Sequence, residues 1–544
     1  MAQLTGGQAI IESLVAEGVP VVFGLPGVQV MEIFDAFYRR SDIRLITVRH
    51  EQTAAYMADG YARVTGKSGV GVVVPGPGVQ NASAGLGTAF SASSPVLLLV
   101  GQVESAQLGR DLGALHEIND QLEIVRPVTK WCYRVRGVAE IPSVIHEAMR
   151  QMKTERPRPT VVEVPPDILA QSSAVSFLSA EHYPPSTPHP TQIQQAAQLL
   201  VQAQKPLIWA GGGAIIADAS AELVALAELL GAPVATTVEG KGSIPEDHLL
   251  ALGTGYYGHG APAWATPHAD VVVAIGTRLT SQMRGVTRLR PPHRLIHIDI
   301  DATVIGKNYP AEVAIVADAK EALKALLSAV QSLRSQGQKW SIQECDDIRR
   351  AHRQWLEEKA PLQCQIIAQI QQTLPPETIL VSGITNIGYW SHVAYRVQQP
   401  RSYFSASYFA TLGFAFPFAL GAKVAAPERP VVCLIGDGGF MYGLPELATA
   451  VQYGINVITL VFVNNAFGAS YTDQETRFQK RIIGTEFYNP SFAQVADVFG
   501  AKGIKSDTEH VGEAIQEALE EPRPTVIEVP IPTLLPPFQL PATP

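Results

Sequence analysis

The stretch VVCLIGDGGF at residues 431–440 decides the fold of this chain, together with VITLVFVNNAFG at residues 457–468. Each begins with an apolar run of strand length, and a segment long enough for a helix separates them. This pattern is typical of neighbouring strands in a buried parallel sheet. The carboxyl ends of such strands meet at one edge, where α/β proteins bind ligands. We therefore expect Asp437 and Asn464 to lie side by side at that edge.

The residue types at this edge suit a metal ion and a diphosphate. A carboxylate and an amide oxygen are ligands for a hard divalent cation that keeps water and phosphate as its other ligands. Gly436, Gly438 and Gly439 surround Asp437, and glycines allow backbone amides to approach a diphosphate closely. A Gly-Asp-Gly tripeptide alone is a weak signal, because most such sequences are ordinary turns. The asparagine at the end of the next strand strengthens it.

A second pattern lies far upstream. The apolar residues 45–48 predict a short strand, Arg49, His50 and Glu51 follow it, and residues 52–63 predict a helix. By structure alone, a glutamate in this place is more often a solvated charge that the helix dipole stabilises.

The two patterns together resemble the thiamine-diphosphate-dependent enzymes, and within them the group of acetolactate synthase, pyruvate oxidase and benzaldehyde lyase. The resemblance extends over essentially all 544 residues. It implies that Glu51 hydrogen-bonds the aminopyrimidine ring of the cofactor and promotes loss of the thiazolium C2 proton, which gives a nucleophilic ylid. It also implies a Mg²⁺ ion held by Asp437, Asn464 and the carbonyl of Ala466.

The resemblance implies further cofactor contacts, one residue at a time. Leu412 stands where a bulky apolar side chain separates the two rings of the cofactor, with ordinary core packing as the alternative. Ala410 stands where the family usually has glycine, and a methyl group is tolerable there if the backbone is unstrained. Thr385 and Asn386 resemble the loop that touches the diphosphate from the other side. The implied cofactor-binding residues are Glu51, Thr385, Asn386, Ala410, Leu412, Gly436, Asp437, Gly438, Gly439, Asn464 and Ala466.

Length and internal similarity predict three α/β domains with doubly wound parallel sheets. A chain of 544 residues should hold about three domains of roughly 150–200 residues, and strands alternate with helices throughout. The stretch PTVVEVP at residues 159–165 is echoed by PTVIEVP at residues 524–530, which suggests two domains of the same layout, with convergence as the alternative. We expect a pyrimidine-binding domain at 1–175, a central domain at 190–330 and a diphosphate-binding domain at 360–544.

Charge and hydropathy exclude several classes of function. The net charge of −9 argues against nucleic acid or an anionic membrane as a partner. The longest apolar runs are too short to span a bilayer, and the N-terminus does not resemble a signal peptide. The four cysteines, Cys132, Cys345, Cys364 and Cys433, lack metal-site spacing and are typical of thiols in a reducing cytoplasm. We therefore expect a cytoplasmic enzyme.

The central segment leaves open whether a flavin binds. Three glycines at residues 211–213 follow a predicted strand, but such a run also serves the close packing of a strand on a helix. Residues 297–301 resemble the flavin-binding branch of the family. The Phe-Asp-Asp-Arg stretch of the synthases, in contrast, does not follow residues 276–278. FAD is therefore an alternative ligand and not an expected cofactor.

The substrate pocket departs from that of the synthases. Leu115 and His116 replace a Phe-Gln pair, Pro166 replaces a lysine that binds a carboxylate, and Ala469 replaces a methionine. Gln29 stands where benzaldehyde lyase has a catalytic histidine. Glutamine cannot titrate, whereas a histidine can shuttle a proton; a solvated loop histidine is the alternative for His116. The expected catalytic residues are Glu51, His116 and Gln29, and the expected pocket residues are Val28, Gln29, Leu115, His116, Phe467, Ala469, Ser470 and Tyr471.

These inferences predict a lyase or carboligase that depends on thiamine diphosphate and Mg²⁺ and acts on a small 2-oxo acid, acyloin or 2-hydroxyketone. The resemblance implies a homodimer or homotetramer, because the cofactor in the family bridges two subunits. Three alternatives stay open: an acetolactate synthase with an altered pocket, a relative of 2-hydroxyacyl-CoA lyase or oxalyl-CoA decarboxylase, and a non-catalytic cofactor-binding subunit.

Overall fold

Three six-stranded parallel sheets form the framework of the chain. A computed structural model describes residues 2–280, 294–333 and 340–541, together with the backbone of two short paired strands, Gln282–Met283 and Val286–Thr287. The predicted fold class, three doubly wound α/β sheets, is confirmed. Each sheet lies inside one of the ranges 1–175, 190–330 and 360–544, whose exact limits stay a prediction.

The N-terminal sheet is covered on both faces. Leu97 and Leu99 belong to one apolar cluster and Leu98 and Val100 to another, so this strand is buried on both sides, as expected for a parallel sheet. The strands, in spatial order, are Arg44–Thr47, Val21–Gly24, Gly69–Val73, Val96–Gly101, Thr160–Val164 and Trp131–Arg134. The helices are Gly6–Ala16, Met31–Phe37, Glu51–Thr65, Pro77–Ala92, Gln121–Val125, Ile141–Lys153 and Pro166–Ala170, and Ala2–Thr5 pairs antiparallel with Ser172–Val175.

The central sheet has the strand order of dinucleotide-binding folds. Its glycine run has a packing role, because a Cβ atom on Gly213 would lie 2.6 Å from the Cα of Gly276. The strands, in spatial order, are Ala251–Thr254, Val234–Thr236, Pro206–Ala210, Val271–Ile275, Leu295–Asp299 and Val313–Val316. The helices are Pro190–Gln202, Gly212–Ile216, Ser220–Leu230, Ala261–Ala265 and Ala319–Leu333.

The C-terminal sheet repeats the topology of the N-terminal one. The echoed strands Thr160–Val164 and Thr525–Pro530 each take the fifth place in their sheet, as the internal similarity predicts. The strands, in spatial order, are Tyr403–Ser405, Ile379–Ser382, Val431–Gly436, Ile458–Val463, Thr525–Pro530 and Lys502–Lys505. The helices are Pro361–Thr373, Asn386–Ala394, Ala415–Ala425, Asp437–Phe440, Glu446–Tyr453, Gly468–Arg477, Phe492–Phe499 and Val511–Glu520. Helix Ile342–Lys359 connects the central and C-terminal domains, with Cys345 in an apolar cluster of the central domain and Leu356 in one of the C-terminal domain.

Two helices join the N-terminal and C-terminal domains at backbone distance. A Cβ atom on Gly60 would lie 2.2 Å from the carbonyl oxygen of Phe418, and one on Gly421 would lie 2.1 Å from that of Met57. Only glycine permits this approach, so helices Glu51–Thr65 and Ala415–Ala425 pack without side chains between them at these points. One apolar cluster therefore contains residues of both domains, which fixes their relative position.

The central domain is tied to the C-terminal domain through a buried ion pair. Lys241 donates to both carboxylate oxygens of Glu246 at 2.8 and 2.9 Å, and Glu246 also accepts from the backbone amide of Val397 at 2.8 Å.

In the part of the chain that the structure describes, all four cysteines are free. No helix there combines the length and apolar character needed to cross a membrane.

Candidate active site

The carboxylate of Asp437 lies at the meeting point of two strand ends. It follows strand Val431–Gly436, and its Oδ1 accepts from the backbone amide of Gly438 at 2.8 Å. Its Oδ2 accepts from the amides of Asn464 at 3.1 Å and Asn465 at 2.7 Å. The structure therefore brings Asp437 and Asn464 together, as the strand pattern predicts.

Burial and hydrogen bonding act on Asp437 in opposite directions. The residue is 2% exposed, and burial raises the pKa of its carboxyl group, whereas the backbone amides favour the ionised form. Asn489, which the sequence did not reveal, donates from Nδ2 to Asp437 at 2.9 Å. The Oδ1 of Asn489 is buried without a hydrogen-bond partner among the described residues. No spacing pattern in the sequence marks this residue.

The donor set at this edge fits a divalent ion that shares its ligands with a phosphate. Asn464 donates its Nδ2 to Thr533 at 3.1 Å, which leaves its Oδ1 for another partner. Ala466 forms a β-bridge with Glu486 whose hydrogen bonds run through Asn465 and Phe467, so they leave the Ala466 carbonyl for a ligand. Residues 2–280, 294–333 and 340–541 contain no cluster of three or more His, Cys, Asp or Glu side chains that could hold a metal by itself. Phosphate or water would therefore have to complete the coordination.

The glycines at this strand end lie close to neighbouring side chains, most closely at Gly438. A Cβ atom on Gly438 would lie 2.8 Å from the ring of Phe467, and one on Gly436 would lie 3.1 Å from the Oγ1 of Thr385. Gly439 is buried in the same short helix, Asp437–Phe440. Thr385 thus lies beside the predicted diphosphate loop, at the end of the neighbouring strand.

The side chain of Asn386 does not face this loop. Its Nδ2 donates to the carbonyl of Leu534 at 2.9 Å, and its Oδ1 accepts from Gln363 at 3.3 Å. The side chain is held in this way because the C-terminal segment, which is far away in sequence, passes over the start of helix Asn386–Ala394. The expected contact of the loop at Thr385 and Asn386 with a diphosphate stays a prediction.

Ala410 has a left-handed backbone, with φ of 53° and ψ of 45°. This conformation costs an L-residue roughly 1–2 kcal/mol and costs glycine nothing, so the condition for tolerating a methyl group here, an unstrained backbone, is not met. Ala410 is exposed and Leu412 is half-buried, which is not the burial of an ordinary core leucine. The segment is anchored by Phe409, whose ring packs on Gly87, and by Thr411, whose hydroxyl lies 2.6 Å from that of Thr88.

Glu51 is the first residue of its helix, one position earlier than expected. His50 caps this helix because its Nδ1 accepts from the amide of Gln52 at 3.2 Å. Asn81, which the sequence reasoning missed, donates from Nδ2 to the Oε2 of Glu51 at 3.0 Å. The signal that could have revealed Asn81 is the Pro-Gly-Pro-Gly run at residues 75–78, at a strand end just before helix Pro77–Ala92.

Gln29 and His116 form a hydrogen-bonded pair in the same domain. The Nε2 of Gln29 donates to the carbonyl of Leu115 at 2.9 Å, and its Oε1 lies 3.2 Å from the Nδ1 of His116. Gln29 is 7% exposed, whereas the neighbouring Val28 and Leu115 are 66% and 63% exposed. Two predicted catalytic residues are therefore in contact, and two predicted pocket residues offer apolar surface beside them.

The predicted residues fall into two separate groups within one chain. No hydrogen bond or ion pair between described residues joins the Glu51 group to the Asp437 group. Next to Glu51, the N-terminal and C-terminal domains are joined by two hydrogen bonds. Gln52 donates to the carbonyl of Tyr442 at 3.0 Å, and the amide of Arg49 donates to Glu446 at 3.0 Å. The remaining pocket residues lie with the Asp437 group, at the start of helix Gly468–Arg477: Phe467, Ala469, Ser470 and Tyr471.

A cavity of about 900 Å³ opens where the three domains meet, and residues 91–93 and 153–157 of the N-terminal domain form part of its wall. It borders the glycine loop at Gly212 and reaches Asp299, at the end of a central strand, as well as Tyr408 and Ala410 of the C-terminal domain. Its size suits a cofactor-sized ligand. The close contact of the glycine run with Gly276 explains these glycines without a ligand, so they do not decide between FAD and no flavin.

Three family models match the chain in succession. Residues 4–124 match the N-terminal TPP binding domain of thiamine pyrophosphate enzymes, residues 193–326 their central domain and residues 383–529 their C-terminal TPP binding domain. These three segments contain the three sheets, apart from three strands and the last residue of strand Thr525–Pro530. Outside them lie strands Trp131–Arg134 and Thr160–Val164 of the N-terminal sheet and strand Ile379–Ser382 of the C-terminal sheet.

Several curated proteins are similar over nearly their whole length. A probable acetolactate synthase large subunit of Methanocaldococcus jannaschii is 35% identical, over 97% of this chain and 92% of the relative. The large subunit of acetolactate synthase isozyme 3 of Escherichia coli is 33% identical, over 96% and 93%. A probable 2-ketoarginine decarboxylase of Pseudomonas aeruginosa is 35% identical, over 91% and 88%.

Proposed function

Because the chain belongs to the thiamine pyrophosphate enzyme family, we propose that it makes or breaks the carbon–carbon bond next to a carbonyl group. The proposed substrates are small 2-oxo acids, acyloins or 2-hydroxyketones. The observation that carries the proposal is the paired strand ends, where Asp437 accepts hydrogen bonds from the amides of Asn464 and Asn465. A carboxylate held in this way is oriented for an ion and a diphosphate.

The bound thiamine diphosphate would supply the carbanion chemistry that the protein's own side chains lack. Asp437, the Oδ1 of Asn464 and the carbonyl of Ala466 would hold Mg²⁺, and the amides around Gly438 would bind the diphosphate. Glu51 would hold or release a proton at the aminopyrimidine ring, and Asn81 fixes the direction of its carboxylate through the 3.0 Å hydrogen bond. His116 would exchange a proton with the substrate.

The two groups of site residues would be completed by a second copy of the chain. Exposed apolar side chains occur in both domains: Val28, Met31 and Leu115 in the N-terminal domain, and Tyr408, Phe409, Met441 and Tyr442 in the C-terminal domain. A homodimer that pairs the Glu51 group of one chain with the Asp437 group of another would complete the site and could bury such side chains between the two chains. A homotetramer would repeat the same contact.

The pocket residues favour an uncharged or bulky substrate over pyruvate alone. Leu115 is exposed and apolar, Ala469 is small, and Pro166 begins helix Pro166–Ala170 where the synthases have a lysine. A lysine that binds a substrate carboxylate contributes roughly 1.5–3 kcal/mol, so its replacement lowers the preference for small 2-oxo acids.

Acetolactate synthesis is the second candidate function. Relatives named acetolactate synthase and 2-ketoarginine decarboxylase are equally similar to this chain, at 35% identity, so similarity alone does not select the reaction.

A CoA-thioester lyase would need a basic groove, for which the sequence provides no motif. Intact Glu51, Asp437 and Asn464 favour an enzyme over a non-catalytic subunit.

Product analysis with a panel of substrates tests the proposal. Purified protein with thiamine diphosphate and Mg²⁺ should cleave or form an acyloin or 2-hydroxyketone with a kcat/KM at least equal to that for pyruvate. The Pro166→Lys variant should move this preference toward pyruvate by roughly tenfold, the size of one charge-assisted contact. Release of acetolactate as the sole product would establish the synthase instead, and absence of any turnover would overturn the enzyme assignment.

A further inference from the structure

The side chain of Gln29 is oriented by a backbone group that can only accept. Its terminal amide has one atom facing the carbonyl oxygen of Leu115 at 2.9 Å. That atom must be the nitrogen, because two oxygens at this distance would repel each other and no proton would lie between them. The opposite end of the amide, which faces His116, is therefore the oxygen.

The orientation of Gln29 determines which nitrogen of His116 carries the proton. The Oε1 of Gln29 can only accept, and it lies 3.2 Å from the Nδ1 of His116. Neutral imidazole has one donor and one acceptor nitrogen. A hydrogen bond therefore forms only if Nδ1 holds the hydrogen, which leaves the lone pair on Nε2.

The loop that bears His116 is held in place by further contacts. His116 has a left-handed backbone with φ of 65°, a conformation that bulky residues adopt at a cost. A Cβ atom on Gly76 would lie 2.5 Å from the carbonyl oxygen of His116, so the two backbones are in close contact. The amide of Gly76 in turn donates to Gln121, which donates to the carbonyl of Gly101.

These contacts place His116 and Glu51 against the same helix start. Gly76 and Gly78 flank the first turn of helix Pro77–Ala92, and a Cβ atom on Gly78 would lie 3.6 Å from the Cγ of Glu51. Asn81 on this helix donates to Glu51. The pair of Gln29 and His116 thus belongs to the group of residues that the proposed function assigns to the cofactor ring.

We propose that Gln29 is a positioning residue that holds His116 as the Nδ1-protonated tautomer, with Nε2 as the proton acceptor for a hydroxyl group of the substrate. The proton of that hydroxyl moves to Nε2, which gives an imidazolium ion and an alkoxide, and the same proton returns when the reaction runs in reverse. This inference rests on the proposed function. It changes the role of Gln29 from a direct catalytic residue to one that acts through His116.

Nitrogen-15 NMR of the imidazole rings tests the tautomer without any substrate. The signal of His116, identified by its loss in His116→Gln, should show the hydrogen on Nδ1 in the wild type. In Gln29→Leu the ring should lose this preference. A wild-type ring with its hydrogen on Nε2 would overturn the proposal, whether or not the protein turns over any substrate.

The pH profile of kcat/KM separates positioning from a merely structural role. In Gln29→Glu one carboxylate oxygen can still accept from Nδ1, while the other loses the bond to the Leu115 carbonyl and is repelled by it. Where nitrogen-15 NMR shows that the ring of this variant keeps its hydrogen on Nδ1, the negative charge favours the imidazolium ion, so the limb of the pH profile that reports His116 should move to higher pH. Gln29→Leu should lower kcat/KM by roughly tenfold, part of the 100- to 10,000-fold that an acid–base group contributes. An unmoved limb in a Gln29→Glu protein whose ring keeps its hydrogen on Nδ1 would contradict the proposal, and so would an unchanged kcat/KM in Gln29→Leu.

A surface histidine provides the matched control. His510 also has a side-chain partner, since its Nδ1 lies 2.8 Å from Asp507, but it is exposed and far from the site in sequence. His510→Gln should leave the pH profile unchanged. Circular dichroism of each variant shows whether it is folded, and a folded Gln29→Leu with wild-type tautomer and profile would overturn the proposal as well.

Discussion

The side-chain amide of Asn81 donates a hydrogen bond of 3.0 Å to the carboxylate of Glu51. The two residues lie on different helices, Pro77–Ala92 and Glu51–Thr65, each of which follows a strand of the N-terminal sheet. One Glu51 oxygen is thereby fixed, and the other is left for a partner. The hydrogen bond thereby fixes the orientation of the Glu51 carboxylate, which the proposed acid–base role requires.

Glu51→Gln should abolish proton exchange at the cofactor while leaving the fold intact. Because glutamine cannot take up or release a proton, the exchange rate of the C2 hydrogen, measured by NMR, should fall by roughly 100- to 10,000-fold. The control is Glu104→Gln, at an exposed loop position. Wild-type exchange in Glu51→Gln would contradict the assignment.

Asp437→Ala should weaken cofactor binding more than it weakens turnover at saturation. The variant loses a charged metal ligand and leaves the amides of Asn464 and Asn465 without their acceptor. Calorimetric titration with thiamine diphosphate and Mg²⁺ should show a large loss of affinity, with a smaller loss in Asn464→Ala. The exposed Asp507→Ala is the control, and unchanged affinity in Asp437→Ala would refute the site.

Mixing two inactive variants should restore activity if the site lies between subunits. In a hybrid dimer of Glu51→Gln and Asp437→Ala chains, one site carries both changes and the other carries neither. Coexpression with two different affinity tags isolates this hybrid. We expect up to about half of the wild-type activity, since one of two sites is intact. A hybrid as inactive as its parents would show that one chain supplies the whole site.

Ala410→Gly should stabilise the protein. Glycine relieves the left-handed strain at φ of 53°, and part of the roughly 1–2 kcal/mol gain is offset by the greater freedom of glycine in the unfolded chain. The free energy of unfolding in denaturant should rise by about 0.5–1 kcal/mol. Ala406→Gly, at a fully buried position with φ of −71°, should lower the free energy of unfolding instead. A lower free energy of unfolding in Ala410→Gly would contradict the conclusion that the backbone at Ala410 is strained.

Two buried histidines should make the protein sensitive to acid. Burial lowers the pKa of His352 to about 4 and that of His392 to about 3. Below pH 6.5, the ordinary histidine value, the unfolded chain takes up protons that the folded chain refuses. The free energy of unfolding should therefore fall as the pH drops from about 6.5 to about 4, by up to about 1.4 kcal/mol per pH unit for each histidine.

His352→Phe should reduce this dependence on pH. Its ring packs against Trp355 and Trp264 at centroid distances of 6.1 Å, and its Nε2 is buried without a partner among the described residues, so phenylalanine keeps the packing. Urea titrations at pH 7 and pH 5 measure the difference. The exposed His510→Gln is the control, and an unchanged difference in His352→Phe would exclude this histidine as a cause.

The strand ends were predictable because the signal for a buried strand is local. The apolar runs before Asp437 and Asn464 and before Glu51 place these residues at sheet edges, and the echo at residues 159–165 and 524–530 foretold the shared topology. The partners of these residues were not predictable. Asn489 reaches Asp437 from a loop that has no periodic pattern, and Leu534 binds Asn386 across 148 positions.

By itself, therefore, the sequence determined the three α/β sheets, the residues at their carboxyl ends and the family to which the chain belongs. The tertiary structure alone decided the strain at Ala410, the bond between Asn81 and Glu51, and the pairing of Gln29 with His116. The physical reason is that side-chain periodicity fixes which face of an element is buried. The direction of a hydrogen bond, in contrast, depends on loops whose conformation is set only when distant segments pack together.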